Sequence, residues 1–382
     1  MPSLSPHIDL VPGSGIRRVF EIALELDDVI MLAVGEPDLP VAPHILAAGA
    51  RAVTDDFTNY TANGGILPLR AAIVEKLARE NDIHVPIEQV WVTVGATQAL
   101  HQAMALMLEA GDQILVPDPG YTTFTMSARL LGAHPVAYSL TVDRGFVPDI
   151  DELDRLVTDR TRAIIVNTPS NPLGSVLDRA QLQALLDFAR RHDLWVLSDE
   201  VYEYFTYGAA HVSVASLDTD NRVFSVFSLS KTYAMTGFRV GYLVTPPGMA
   251  SIMRAVQETT VSCVNAPAQI AAIAALTGDH QHVADAREHY RRNLIAACEL
   301  LDSRGIRYLD PSGAFYLWVD VSHATDGDVA SWAESFLLHD RVAVAPGSAF
   351  GRSGEGWIRV CLAADPADVL EGLRRLPAPP TA

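Results

Sequence analysis

The sequence predicts an α/β protein: a large domain built on a mostly parallel sheet flanked by helices, followed by a smaller α+β domain. Three observations carry this expectation. The length, 382 residues, suggests two or three domains and is ample for a large core. From about Gln89 to Pro246, short apolar runs alternate with segments of helical period, the pattern of a parallel sheet covered on both faces. From about Asp285 the pattern changes to one long helical period and two further strand-like runs.

The runs that read as strands are VWVTV (90–94), QILVP (113–117), AIIVN (163–167), LWVLS (194–198), RVFSVFS (222–228) and VGYLV (240–244). Helical segments between them include TQALHQAMALMLEAG (97–111) and RAQLQALLDFARRHD (179–193). In the segment 285–305, Tyr290, Leu294, Cys298 and Leu301 share one stripe and Gly305 is a stop signal. The later strand-like runs are AFYLWVDV (314–321) and WIRVCLA (357–363).

Composition narrows the function. Asp and Glu number 46 against 28 Lys and Arg, a formal charge of −18. That argues against nucleic acid, which requires clustered cations, so any cationic site must be local. Hydrophobic content of 49% fits a globular chain. Cys263, Cys298 and Cys361 are far apart, with no CxxC or Cys/His zinc spacing, so no metal site and a reduced, cytoplasmic setting are expected. The N-terminal stretch MPSLSPHIDLVPGSGIRR does not read as a signal peptide. No apolar run approaches the roughly 18 residues of a membrane span, the longest candidate being Ala268–Leu276. The tail LPAPPTA (376–382) reads as a frayed end.

In parallel sheets ligands bind beyond the carboxyl ends of strands, so the residues there matter most. VWVTV is followed by Gly95-Ala96-Thr97 and a helix, a turn that suits a phosphate but is equally an ordinary βα turn. It is neither a GxGxxG nor a GxxxxGK[ST] motif. The other runs are followed by Asp118-Pro119-Gly120-Tyr121, by TPSNPLG with Asn167 and Asn171, by Asp199, Glu200 and Tyr202, and by Ser230 and Lys231. Singly, each could be a loop residue or a helix cap.

Together they suit one small molecule with a phosphate, a ring carrying a basic nitrogen, a phenolic oxygen and an aldehyde. Lys231 would form a Schiff base with the aldehyde, its amine kept neutral by a dry pocket and by Arg239. Ser228 and Arg239 would hold the phosphate with the Gly95–Thr97 turn, and Ser230 joins the cofactor-binding set. Asp199 would keep the ring nitrogen protonated, Tyr202 and Asn171 would bond the phenolic oxygen, and Tyr121 would stack on the ring. That molecule is pyridoxal 5′-phosphate.

The sequence also resembles the class I/II aminotransferases of the type I pyridoxal-phosphate fold, typified by aspartate aminotransferase. The matching pieces are VGEPDLP (34–40), NYTANGGILPLR (59–70), VTVGATQAL (92–100), DPGY (118–121), NTPSNPLG (167–174), SDEVY (198–202), SLSKTYAMTGFRVGY (228–242), PSGAFYLW (311–318), PGSAFG (346–351) and WIRVCLA (357–363). They run in family order along almost the whole chain. The resemblance implies that Arg359 grips the substrate α-carboxylate and that the Gly35 backbone touches substrate. It implies that Asn171 also faces substrate, and that Tyr60 reaches the phosphate of a neighbouring subunit in a homodimer. With it, the chain divides into an N-terminal arm with part of the small domain (1–45), a large cofactor-binding domain (46–284) and a small C-terminal domain (285–382).

The expected reaction moves an amino group from an L-amino acid to a 2-oxo acid such as 2-oxoglutarate. Lys231, Asp199 and Tyr202 are the catalytic residues. Phe238 stands where many relatives have tryptophan, and Thr97 where some aspartate-active relatives have lysine. No arginine occurs in TTVSCVNAPAQ (259–269), where dicarboxylate-specific members place a clamp. Phe238, an apolar flank of Arg239, is expected to matter little; the other two departures weaken an aspartate assignment and favour a neutral, aromatic or sulfur-containing donor. Alternatives are another reaction of the same cofactor (a C–S lyase or an amino-acid oxidase) or a ligand-sensing domain without activity. Ser228-Leu-Ser-Lys231 also fits S-x-x-K, but no K-T-G accompanies it. His280 and His282 read as a solvated loop, His101 as a packing residue and Cys263 as a structural thiol.

Overall fold

The computed structural model of the protein describes residues 5, 7–13 and 15–380. Residues 1–4, at the start of the stretch read for a signal peptide, and the last two residues of the 376–382 tail lie outside the described residues.

Among the described residues the strands are β1 (Ile30–Met31), β2 (Val90–Thr93), β3 (Gln113–Asp118), β4 (His134–Ser139), β5 (Thr161–Asn167), β6 (Trp195–Asp199), β7 (Val223–Ser228), β8 (Gly241–Val244), β9 (Tyr308–Leu309), β10 (Tyr316–Asp320), β11 (Val342–Ala343), β12 (Ala345–Pro346) and β13 (Trp357–Cys361). A seven-stranded sheet has the order β2-β8-β7-β6-β5-β3-β4. All its pairings are parallel except the two made by β8. A second sheet, β12-β13-β10-β9, is antiparallel. β1 pairs in parallel with β11, which joins the N-terminal segment to the C-terminal part of the chain.

The apolar runs form strands because both faces of the sheet are covered. In β6, Val196 packs into a cluster with Leu185 and Phe188, whereas Leu197 packs into another with Leu100 and Phe124. Such alternation is the pleat of a strand with a core on each side. Leu197 is fully buried, so Leu197→Ala costs about 2–5 kcal/mol. The Arg179–Arg191 helix begins at a capping box: Asp178 accepts from the Gln181 amide at 2.8 Å and Gln181 accepts from the Asp178 amide at 2.8 Å. It stops before Asp193, which takes a left-handed φ of +50°.

Three sequence expectations change. The strand β4 went unread: it is an edge strand with Pro135, and its side chains are mostly part-exposed, so it lacks an apolar signature. The long helix spans Gln281–Ser303, starting before Asp285, with Gly305 at φ +65° beyond its end. Its buried stripe contains Tyr290, Leu294, Ala297 and Leu301, and Cys298 is only half-buried. No helix among the described residues is long and apolar enough to cross a membrane.

Candidate active site

The strands β2, β3, β5, β6 and β7 run the same way, so their carboxyl ends share one edge. Register aligns Asn167 with Asp199, Asp199 with Val226, and both Ser228 and Thr93 with Gly241. A cavity of about 290 Å³ opens there, where a parallel sheet presents ligand-binding groups.

One corner suits an anion. The helix Gly95–Met107 starts directly behind β2. Gly95 has φ +74°, and a Cβ on it would lie 2.6 Å from an Arg239 nitrogen. A Cβ on Gly241 would lie 2.8 Å from the Ala96 amide. Two glycines thus keep a guanidinium and a helix N-terminus together in a cradle that side chains would fill. Ser228 caps the short Leu229–Thr232 helix, accepting from the Ser230 amide at 3.1 Å. Arg239, itself left-handed at φ +55°, donates to the Thr236 carbonyl at 2.9 Å. No carboxylate among the described residues pairs with it.

At the centre, Lys231 Nζ donates to the Gly35 carbonyl at 2.6 Å. Burial pushes its ammonium down to about 8, and the charges of Arg359 and Arg239 add to this. Asp199 is 3% exposed and accepts from the Val201 amide at 3.3 Å. Burial pushes its carboxyl up to about 7, with the neighbouring Glu200 carboxylate adding. A carboxylate so poorly supplied with donors fits a cationic ring nitrogen, whose charge would offset the desolvation cost.

The far wall holds Arg359, 2% exposed. It donates to Asn171 Oδ1 at 2.8 Å and to the Ala33 carbonyl at 2.5 Å, while Nε is buried without a partner. Its guanidinium carbon lies 4.3 Å from the Tyr316 ring centroid and 4.9 Å from that of Phe350. No carboxylate among the described residues neutralises it. The Tyr202 and Tyr316 hydroxyls share a 2.7 Å hydrogen bond, and Tyr121 lines the cavity with its ring edge-on to Phe124 at 5.7 Å.

Comparison with known proteins gives the same picture. The profile of aminotransferase class I and II matches residues 27–376. The chain belongs to this family. The aspartate aminotransferase of Pyrococcus abyssi is 37% identical over 98% of this chain and 97% of its own. The aromatic-amino-acid aminotransferase 2 of Thermococcus litoralis is 36% identical over the same shares. The solved structure of Thermus thermophilus aspartate aminotransferase with maleate superposes with a TM-score of 0.93 at 34% identity, covering 98% of this chain and 99% of that one. The protein is therefore an aminotransferase, dependent on pyridoxal 5′-phosphate, with the type I fold of that cofactor's enzymes. The inactive ligand-sensor and S-x-x-K alternatives fall away.

The aminotransferase brings its sequence-predicted site residues to this one cavity, with two exceptions. Gly95 sits behind the cavity against Arg239, and Tyr60 is 92% exposed, away from it. Tyr316, Asn167, Ile16 and Val34 also line it and were not among the predicted site residues. The run NTPSNPLG hinted at Asn167, and Val34 and Tyr316 fall in the matching pieces VGEPDLP and PSGAFYLW; nothing local marks Ile16. His101 is outside the lining and contacts Ser127 at 3.4 Å. His280 and His282 do not form a solvated loop: they sit at the start of the Gln281–Ser303 helix. Both are half-buried and pack on Tyr233, with ring centroids 5.7 and 5.9 Å away; no metal-holding group occurs among the described residues. Cys263 is half-buried, its Sγ accepting from the Thr61 amide at 3.5 Å. Phe238 flanks Arg239 from the apolar side, packing toward Gly49.

Proposed function

We propose that the enzyme moves an amino group from a neutral, aromatic or sulfur-containing L-amino acid to a 2-oxo acid such as 2-oxoglutarate, with Lys231 as nucleophile and proton carrier. The observation that carries this reading is Arg359. A guanidinium buried among neutral oxygens and rings, with one nitrogen unpartnered, is a costly arrangement that a carboxylate ligand relieves. Amino acids and 2-oxo acids share that carboxylate.

When bound, pyridoxal phosphate supplies an aldehyde that condenses with amines and a ring that accepts the electron pair released at Cα. The Ala96 and Thr97 amides, with Gly95, Ser228, Ser230 and Arg239, hold its phosphate. Asp199 holds the proton at the ring nitrogen, Tyr202 and Asn171 bond the phenolic oxygen, and Tyr121 covers the ring. Lys231 supplies the neutral amine, and its depressed basicity leaves a useful free-base fraction near neutral pH. The same Nζ would take the proton from substrate Cα and deliver it to the cofactor's C4′ carbon, the one derived from the aldehyde. Arg359 orients the α-carboxylate beside Gly35. Tyr60 reaches the phosphate of a second copy in a homodimer, a reading supported by the exposure of Leu46, Val53, Phe57 and Leu67.

The donor preference rests on the lining. Ile16, Val34 and Leu100 are apolar, and the cations there are Lys231, Arg239 and Arg359, each with a partner in the scheme above. None is left for a side-chain carboxylate. Relatives named for aspartate and for aromatic amino acids stand about equally near, so resemblance alone does not choose. A half-reaction screen of the common amino acids against the cofactor-loaded enzyme tests both parts. Leucine, methionine or aromatic donors should shift the absorbance to the pyridoxamine form and release the matching 2-oxo acid. Fastest turnover with aspartate would overturn the preference. Release of ammonia with pyruvate, or oxygen consumption, would assign the lyase or oxidase reaction instead.

A further inference from the structure

Asp199 is followed by a second buried acid. Glu200 is fully buried and Asp199 is 3% exposed. Adjacent residues at a strand end face opposite ways: Asp199 lines the cavity and Glu200 does not.

The two carboxyls are supplied very differently. Ser198 Oγ donates to Glu200 Oε1 at 2.7 Å, and His211 Nε2 lies 2.8 Å from Oε2. An ionised carboxylate only accepts, so Nε2 is the donor. Burial opposes ionisation of Glu200, but His211, Ser213 and Ser198 more than offset it and hold its carboxyl below the ordinary range. Asp199 has the single amide of Val201 at 3.3 Å. Two neighbouring buried carboxyls do not ionise independently; the better-supplied Glu200 takes the charge. Around His211, a cavity of about 320 Å³ is also lined by Glu80, Glu203 and Arg287. Glu203 is paired with Lys76, and Arg287 donates to the Thr206 carbonyl, so neither draws His211 from Glu200.

We propose that Glu200, fixed by His211 and Ser198, is a positioning residue acting through Asp199: its buried negative charge opposes the charge on Asp199, so that the proton between Asp199 and the ring nitrogen of pyridoxal phosphate is shared between them. The inference rests on the reading of Asp199 as the ring partner. Glu200 lies on the side of Asp199 away from the cavity, so it destabilises the Asp199 carboxylate more than it stabilises a protonated ring.

The test uses enzyme loaded with pyridoxal phosphate labelled with ¹⁵N in the ring, whose chemical shift reports proton occupancy. Glu200→Gln should move that shift toward the fully protonated ring. It should also tighten cofactor binding to the apo-protein about tenfold, the equivalent of one pKa unit. His211→Leu should act in the same direction, because a buried glutamate stripped of its main donor takes up a proton. The double variant should go no further than either single one. If Glu200 merely braces the strand, these variants loosen the cofactor and leave the shift unmoved, and the proposal is overturned. Should a variant not load, the infrared carboxyl band of labelled Asp199 in the apo-protein gives a second reading. Its protonation midpoint should fall in Glu200→Gln, and an unchanged midpoint overturns the proposal. Asp199→Asn separates the two levels. If it leaves the ring shift at the wild-type value, Asp199 is not the ring partner. If it moves the shift and Glu200→Gln does not, only the Glu200 inference fails.

Discussion

Gly35 packs directly against Tyr316: a Cβ on Gly35 would overlap the Tyr316 hydroxyl, which holds the Tyr202 hydroxyl at 2.7 Å. The same glycine offers its carbonyl to Lys231 Nζ, so one small residue sets three groups of the cavity. Gly35→Ala should therefore lower kcat/KM, on the order of a hundredfold for a displacement near 1 Å. Adding Tyr316→Phe removes the overlapping oxygen and should recover part of the loss. Steady-state kinetics of both single variants and the double variant test this; a double variant no better than Gly35→Ala would refute the steric account.

Arg359→Lys keeps a cation but loses the two-pronged geometry and the ring contacts with Tyr316 and Phe350. KM should rise for amino acids and 2-oxo acids alike, because both carry the carboxylate. The expected loss in kcat/KM is about 2–3 kcal/mol, roughly a hundredfold, from charged hydrogen bonds. A rise confined to one substrate would contradict the assignment.

Lys231→Ala should remove the absorbance band of the lysine-linked cofactor and lower turnover by at least about 10²–10⁴, the range for a lost acid–base group. Absorption spectra and single-turnover assays read both. In wild-type apo-protein, the rate of reaction with pyridoxal phosphate should climb as pH approaches about 8 and level off above it, following the free amine.

Asp199 makes the apo-protein's stability depend on pH. Between the ordinary carboxylate range and about 7, the folded chain retains a proton that the unfolded chain has released. Stability from this group is thus fully present below that window and declines as pH rises through it. Asp199→Asn removes the dependence. Its thermal midpoint relative to wild type should improve from about pH 4 to about pH 7, with the gain held above. Melting curves of the two apo-proteins check this; a constant difference across the window would exclude it.

Much of the site could be read from the sequence because it is built from strand ends. Apolar runs reveal strands by composition, and the polar residue that ends each run falls at one edge of a parallel sheet. Asp199 and Lys231 were found that way, whereas Arg239 precedes its strand and was read from the cofactor scheme. The strand His134–Ser139 escaped because an edge strand with a proline and part-exposed side chains leaves no such trace. The reading of His280 and His282 as a solvated loop missed their packing because Tyr233, on which both lie, is distant in sequence.

What the sequence determined by itself is the order of elements, the family motifs and the identity of most groups at the cavity, all properties of local pattern. The tertiary structure alone decided their energetic state. Arg359 lacks an acid because chain segments 188 and 326 residues away meet it with neutral oxygens. Lys231 and Asp199 have shifted proton affinities because distant residues exclude water from them. Backbone conformation is largely a short-range property, whereas the cost of a charge depends on everything that surrounds it in space.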